Sequence, residues 1–172
     1  MFDYMKLKDA RLKYKYKSQG ADYLYDLAPC FGGFEGHTTN TDRPYVLVRD
    51  SRLMIREGYE WNGANHFPDF PWVLRASFVH DALCQLLDEG RWRSRVEGKD
   101  EGDYRKCADR EFYCIVRSDK GLRWASITYS AIRGHVQVPF VGGIIGGAIG
   151  LVRGERHFEC GQAVEAEDAA TG

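Results

Sequence analysis

Residues 71–90, PWVLRASFVHDALCQLLDEG, decide the fold. Leu74, Phe78, Ala82 and Leu86 recur every fourth position and so share one helix face. Pro71 suits a first turn, where its missing N–H costs nothing, and Gly90 suits the end. The pattern predicts a helix of about four turns. Downstream the period returns. Asp103 to Ser118 places Tyr104, Ala108, Phe112 and Ile115 on one stripe, with Asp103 read as the N-cap, and Leu122 to Arg133 turns Leu122, Ala125, Tyr129 and Ile132 inward. Upstream the period is two. Residues 11–17, RLKYKYK, put Leu12, Tyr14 and Tyr16 on one strand face and the basic residues on the other, and Tyr23 to Leu27 extends similarly. Gly32-Gly33 and Thr38 to Pro44 carry turn chemistry. Tyr45 to Val48 and Leu53 to Ile55 flank Arg49-Asp50-Ser51-Arg52 as a hairpin would. Strands first and helices after predict an α+β fold: N-terminal antiparallel strands packed with a C-terminal bundle of about three helices.

The chain has 172 residues, an apolar fraction of 44% and 24 basic against 25 acidic residues. That length fits one core, and a net charge of −1 supplies no overall field for nucleic acid or an anionic membrane. Nucleic acid is therefore not an expected partner, and any such affinity must be local. Lys13-Tyr14-Lys15-Tyr16-Lys17 interleaves basic and aromatic residues as single-strand platforms do, but on a strand the two types face opposite ways, which reads as a solvated face over a core face. The boundaries expected are a single domain over 1–137, a glycine-rich apolar segment over 138–153 and a flexible polar tail over 154–172, unfolded from about Gly161.

Function concentrates on the helix that opened the reading. On its wheel His80 falls between Leu87 and Val73, a buried position, while Asp81 lies on a narrow polar sector beside Ser77 and Gln85; Asp109 borders the apolar stripe of the next helix. A buried imidazole must be hydrogen-bonded, paired or metal-bound. His80, Asp81 and Asp109 are thus expected at one site, with Arg75 and Arg105 as orienting cations. An imidazole with two carboxylates suits general acid/base work or a divalent metal, for which the same three residues are the candidate ligands. A core network that pins two helices is the alternative.

The same residues resemble a phage and prophage family known as domain of unknown function 1353. Its pattern is a Gly-aromatic-x-Thr/Trp-Asp-Gly-Ala-Ser stretch, a His-Asp helix, an Ala-Asp-x-x-Phe helix and a Tyr-x-Ala-Val-Arg helix. Here these stand as Gly58-Tyr59-Glu60-Trp61-Asn62-Gly63-Ala64-Asn65, then His80-Asp81 within residues 76–83, then Ala108-Asp109-Arg110-Glu111-Phe112, then Tyr129-Ser130-Ala131-Ile132-Arg133. The resemblance covers residues 58–133, implies a mobile-element origin and brings Asn62 into the candidate site. Where the family has Asp this chain has Asn62, one charge fewer for a hard cation. His66, ahead of His80-Asp81 and Asp109, follows the ligand order of the His-Asp metal phosphohydrolases. That superfamily is all-helical, and His66 sits in a turn, Asn65-His66-Phe67-Pro68, so membership is not expected.

Two further features bear on partners and compartment. Val138 to Val152 runs 15 residues without a charge, with Gly142, Gly146 and Gly150 at four-residue spacing. Such a glycine zipper lets helices approach closely, but it reaches only about 22 Å against a hydrocarbon core of about 30 Å. It is expected to pack within the fold or a homo-oligomer, to meet a phage structural partner or a membrane, or to form a mobile apolar arm that orders against a partner. The cysteines, Cys30, Cys84, Cys107, Cys114 and Cys160, are odd in number and lack a C-x-x-C pair, which argues against a disulfide framework or zinc knuckle. Cys107 and Cys114 read as small buried hydrophobes. A reducing compartment is expected, and with no signal-peptide core at the N-terminus, host cytoplasm or virion. The expectation overall is a phage- or prophage-encoded protein with a His/Asp site suited to metal-dependent hydrolysis, or alternatively a structural or assembly protein.

Overall fold

The computed structural model describes residues 2–7, 14–39, 46–64, 68–134 and 159–164. The fold is α+β: nine strands in two antiparallel sheets and three helices among the described residues. One sheet orders β1 (Asp3–Lys6), β2 (Tyr16–Gln19) and β7 (Glu60–Trp61) side by side. The other runs β8 (Gly90–Ser94), β4 (Phe34–Thr38), β5 (Val46–Arg49), β6 (Arg52–Ile55), β3 (Tyr23–Asp26) and β9 (Gln162–Ala163).

The period-two reading of the basic-aromatic stretch holds its parity but shifts along the chain: Tyr16 and Ser18 are buried while Lys17 and Gln19 are not. Residues 11–13 lie outside those described. The expected hairpin is β5–β6, in register Val48↔Leu53 and Arg49↔Arg52. Its two loop residues, Asp50 and Ser51, both have positive φ, at 51° and 61°. That doubly left-handed turn matches the twist of the flanking strands.

Three helices follow, α1 (Pro71–Glu89), α2 (Glu101–Lys120) and α3 (Leu122–Gly134). Pro71 opens α1 as expected. Asp103 is not the N-cap of α2. That role belongs to Asp100, whose carboxylate accepts from the Asp103 N–H at 2.9 Å while the Asp103 side chain accepts from the Asp100 N–H, a reciprocal capping box that starts the helix at Glu101. Between α1 and α2 the chain turns directly from helix into strand at Gly90. A Cβ there would lie 2.2 Å from the Leu86 carbonyl oxygen and 2.7 Å from that of His37, so only glycine lets the two backbones close.

α1 is apolar over most of its circumference because it is covered on most sides, by β4, β5 and β8 and by α2. Phe78 meets the rings of Tyr23, Tyr59 and Trp61. Tyr104 on α2 packs on Phe31, Phe34 and Trp92. Each such fully buried aliphatic or aromatic side chain contributes about 1.5–3 kcal/mol of apolar burial.

The chain's end corrects two expectations. Gln162–Ala163 extends the six-stranded sheet beside β3, and Cys160 is disulfide-bonded to Cys114, with Cα atoms 5.5 Å apart. Residues 161–164 are therefore not an unfolded tail, and Cys114 is not a free hydrophobe. Pairing across 46 positions of sequence leaves no local spacing to read. The glycine-rich segment, His66 and Asn65 lie outside the described residues. No described helix is long and apolar enough to cross a membrane.

Candidate functional site

α1 and α2 run antiparallel, and three polar rungs join them. Arg75 donates from Nε and Nη2 to Asp119 at 3.0 and 2.5 Å, His80 Nε2 lies 3.1 Å from Asp109 Oδ1, and Arg105 Nη2 pairs with Asp88. As residue number rises along α1 it falls along α2. Arg105 also holds Glu101, one turn before it, at 2.8 Å. The expected convergence of His80, Asp81 and Asp109 is therefore seen. Arg75 and Arg105 do not orient that cluster by contact; each is committed to its own carboxylate partner in a flanking rung.

The middle rung differs from the others. Asp81 Oδ1 lies 3.6 Å from His80 Nδ1, so the imidazole sits between two carboxylates, one at each nitrogen. Cys84, one turn beyond His80 on the same face, places its sulfur 3.9 Å from Nδ1 and 3.8 Å from Nε2. Near-equal distances to both nitrogens put the sulfur in line with neither N–H, since an in-line partner of one nitrogen stands well away from the other. The His80 side chain is 20% exposed and that of Asp109 17%, so the cluster is sheltered but reaches solvent, short of the full burial expected from the wheel.

Electrostatics favours the charged form of the imidazole. Burial opposes the charge, but the nearby Cys84 sulfur, the hydrogen bond to Asp109 and the adjacent Asp81 carboxylate outweigh it and push His80 well above the ordinary histidine range. A cation would have to displace the proton that these neighbours favour on the ring. The two carboxylates lie at opposite nitrogens and share no coordination point, and among the described residues no three His, Cys, Asp or Glu side chains are arranged to hold a metal ion. The metal expected from sequence does not fit this arrangement.

Among the described residues, Asn62 is not hydrogen-bonded to this cluster. The adjoining Gly63 has φ +75°, and a Cβ on it would meet Asp69 Oδ1 at 2.5 Å and the Tyr16 ring at 2.8 Å. Asp69 in turn accepts from the Tyr16 hydroxyl at 2.7 Å and the Ala64 N–H at 3.3 Å. Asn62 thus precedes a stretch, Gly63-Ala64, fastened to Asp69, and no hydrogen bond among the described residues links it to His80, Asp81 or Asp109. The aromatic members of the same motif reach α1 instead: Trp61 Nε1 donates to Ser77 at 3.2 Å and the Tyr59 hydroxyl to Gln85 at 2.8 Å. Ser77 and Gln85 are therefore buried and satisfied, and the polar sector that carries Asp81 is narrower than the wheel implied.

Cys84 is the member that the sequence reading missed, although its i+4 spacing from His80 was a usable signal. A separate concave surface of about 450 Å³ lies on the six-stranded sheet, lined by Glu35, His37, Arg49, Arg91, Arg93 and Arg95 among others, and contains none of the predicted residues. There Glu35 is gripped by Arg93 at 2.6 Å and Arg95 at 2.5 Å. Comparisons with protein-family models, curated proteins and solved structures each found no match to this chain.

Proposed function

We propose that the protein is a thiol-dependent hydrolase of the acyl-transfer class, with Cys84 as nucleophile, His80 as proton donor and Asp109 as the group that orients the ring. The composition of the middle rung carries this reading. A helix–helix strut needs only an arginine and a carboxylate, as the flanking rungs have. This one instead combines a titratable ring, a thiol one turn away and an exposed edge. Asp109 holds Nε2, whereas Asp81 stands 3.6 Å from Nδ1, beyond hydrogen-bond reach, so a rotation about the Cys84 Cα–Cβ bond that brings the sulfur toward Nδ1 competes only with that longer contact. Ionised sulfur beside an imidazolium attacks an ester or amide carbonyl carbon, the leaving group takes the His80 proton, and the neutral ring then deprotonates the water that hydrolyses the thioester. The ordered resemblance over residues 58–133 supports a phage- or prophage-encoded protein. The Cys114–Cys160 disulfide favours the virion or another non-reducing location over host cytoplasm.

The test uses the intact chain with a p-nitrophenyl ester. A burst of one product per protein is expected; Cys84→Ser abolishes it, and Asp109→Asn, nearly isosteric, slows it about 100-fold while the fold persists. An unchanged rate in Cys84→Ser rejects the reading. Elemental analysis of the purified protein is expected to find no stoichiometric divalent metal.

The ladder itself favours a second reading, in which His80–Asp109 is one strut of three in a non-enzymatic structural or assembly protein. In that case the glycine-rich segment supplies the contact to another copy, a virion partner or a membrane. Truncation after Gln137 would also remove Cys160 and β9, so the cleaner variant keeps the chain and replaces Gly142, Gly146 and Gly150 with leucine. A changed oligomeric state or vesicle binding supports assembly; unchanged behaviour in both rejects it.

A further inference from the structure

Cys107 and Cys114 lie two turns apart on one face of α2, with Glu111 between them. Glu111 is fully buried and receives three donors: the Ala28 N–H at 2.5 Å, the Tyr25 hydroxyl at 2.9 Å and the Gly161 N–H at 3.3 Å. Two of these come from backbone beside a cysteine. Gly161 adjoins Cys160, which is bonded to Cys114. Ala28 stands two residues before Cys30, whose thiol the neighbouring Cys107 pushes up. Cys107 Sγ also donates to the Cys30 carbonyl oxygen at 3.3 Å, and Lys99 Nζ donates to the same oxygen at 2.5 Å. The arrangement on one side of Glu111 is thus repeated on the other: a backbone N–H anchored to the carboxylate and, beside it, a cysteine placed against α2. On one side the sulfurs are bonded; on the other the Cys107 sulfur lies against the Cys30 backbone.

We propose that Cys30 and Cys107 are a second disulfide site, which closes a covalent staple parallel to Cys114–Cys160 and fixes the Pro29–Phe31 turn to α2. The reaction is thiol–disulfide exchange with a small disulfide such as oxidised glutathione. One Cys–glutathione mixed disulfide forms as the glutathione S–S bond breaks, and the second thiolate displaces the remaining glutathione. The two electrons and two protons leave in two reduced glutathione molecules. Of the five cysteines, Cys84 is then the one that stays a thiol. This inference does not rest on the hydrolase reading, and it stands equally if Cys84 has no chemistry.

Peptide mapping of the full chain tests it. Protein equilibrated with oxidised glutathione, blocked with iodoacetamide and digested with trypsin without reduction should yield peptide 18–49 joined to peptide 107–110, because Arg43 precedes proline and is not cut. Intact mass should show one alkylated cysteine, against five after reduction under denaturing conditions. Cys84→Ser should keep both cross-links and lose the remaining adduct, whereas Cys107→Ser should leave Cys30 alkylated with Cys114–Cys160 intact. Alkylation of both Cys30 and Cys107 in the oxidised wild type, or a Cys30–Cys84 cross-link, would overturn the proposal. That map of the wild type decides the question even if Cys107→Ser does not fold.

Discussion

His80 illustrates what burial alone does not decide. A sheltered imidazole is ordinarily discharged by desolvation, yet Asp109, Asp81 and Cys84 reverse the sign. Its folded value lies above the unfolded one near 6.5. The pair therefore contributes fully below that unfolded value and is lost as pH rises through the raised folded value. Asp109→Asn is expected to lower the His80 titration midpoint, read by NMR of the ring protons, and to cost about 1–2 kcal/mol at neutral pH, less in strongly alkaline solution. An unmoved midpoint would mean that Asp109 does not hold the ring. Glu111 shows the opposite balance. Burial pushes its carboxyl up even though Ala28, Tyr25 and Gly161 all donate to it. Its folded state therefore favours the proton, and stability falls as pH rises from the ordinary carboxylate range through the raised value. Glu111→Gln should flatten that part of the urea-midpoint profile, yet destabilise by about 1–3 kcal/mol, because one of three donors would then face an amide NH₂.

At the level of elements, α1 and α2 are joined by rungs of unequal burial. Asp88 and Arg105 are 56% and 37% exposed, so their pair is worth little, whereas Arg75–Asp119 is more sheltered and bidentate. Arg75→Ala should therefore lower the melting temperature more than Arg105→Ala, and equal effects would contradict this ordering. Helix α2 depends on its cap as well as on its packing. Loss of the Asp100 carboxylate in Asp100→Ala removes one half of the capping box and should cost about 1 kcal/mol in chemical denaturation. The helices were legible to within a residue or two because their period is local. Several strands were not. β8 alternates arginine with Trp92 and Ser94, a readable signal, but it begins at Gly90, which reads equally well as a helix stop. β7 and β9 have two residues each, too few for any period.

Over the whole molecule, covalent and hydrogen-bonded ties converge on one face of α2. The Cys114–Cys160 bond encloses α3 and the glycine-rich segment, and Cys160→Ser should cost about 2–4 kcal/mol, seen as a lower denaturant midpoint in non-reducing buffer. A midpoint equal to that of wild type would show that the bond does not form in solution. The same face explains why the cysteine pattern misled on disulfide pairing. An odd cysteine count without C-x-x-C is also what one long-range disulfide beside three free cysteines looks like.

By itself the sequence determined the three helices, the β5–β6 hairpin, the α+β class and the meeting of His80, Asp81 and Asp109, because each follows from spacing within a few residues or from the apolar stripes that two helices must bury together. Only the tertiary structure decided that Arg75 and Arg105 serve other carboxylates, that Cys84 joins His80 while Asn62 does not, and that Cys160 returns to Cys114. Those outcomes depend on which distant segments share one core, and contacts closed across dozens of residues leave no period in the chain from which to read them.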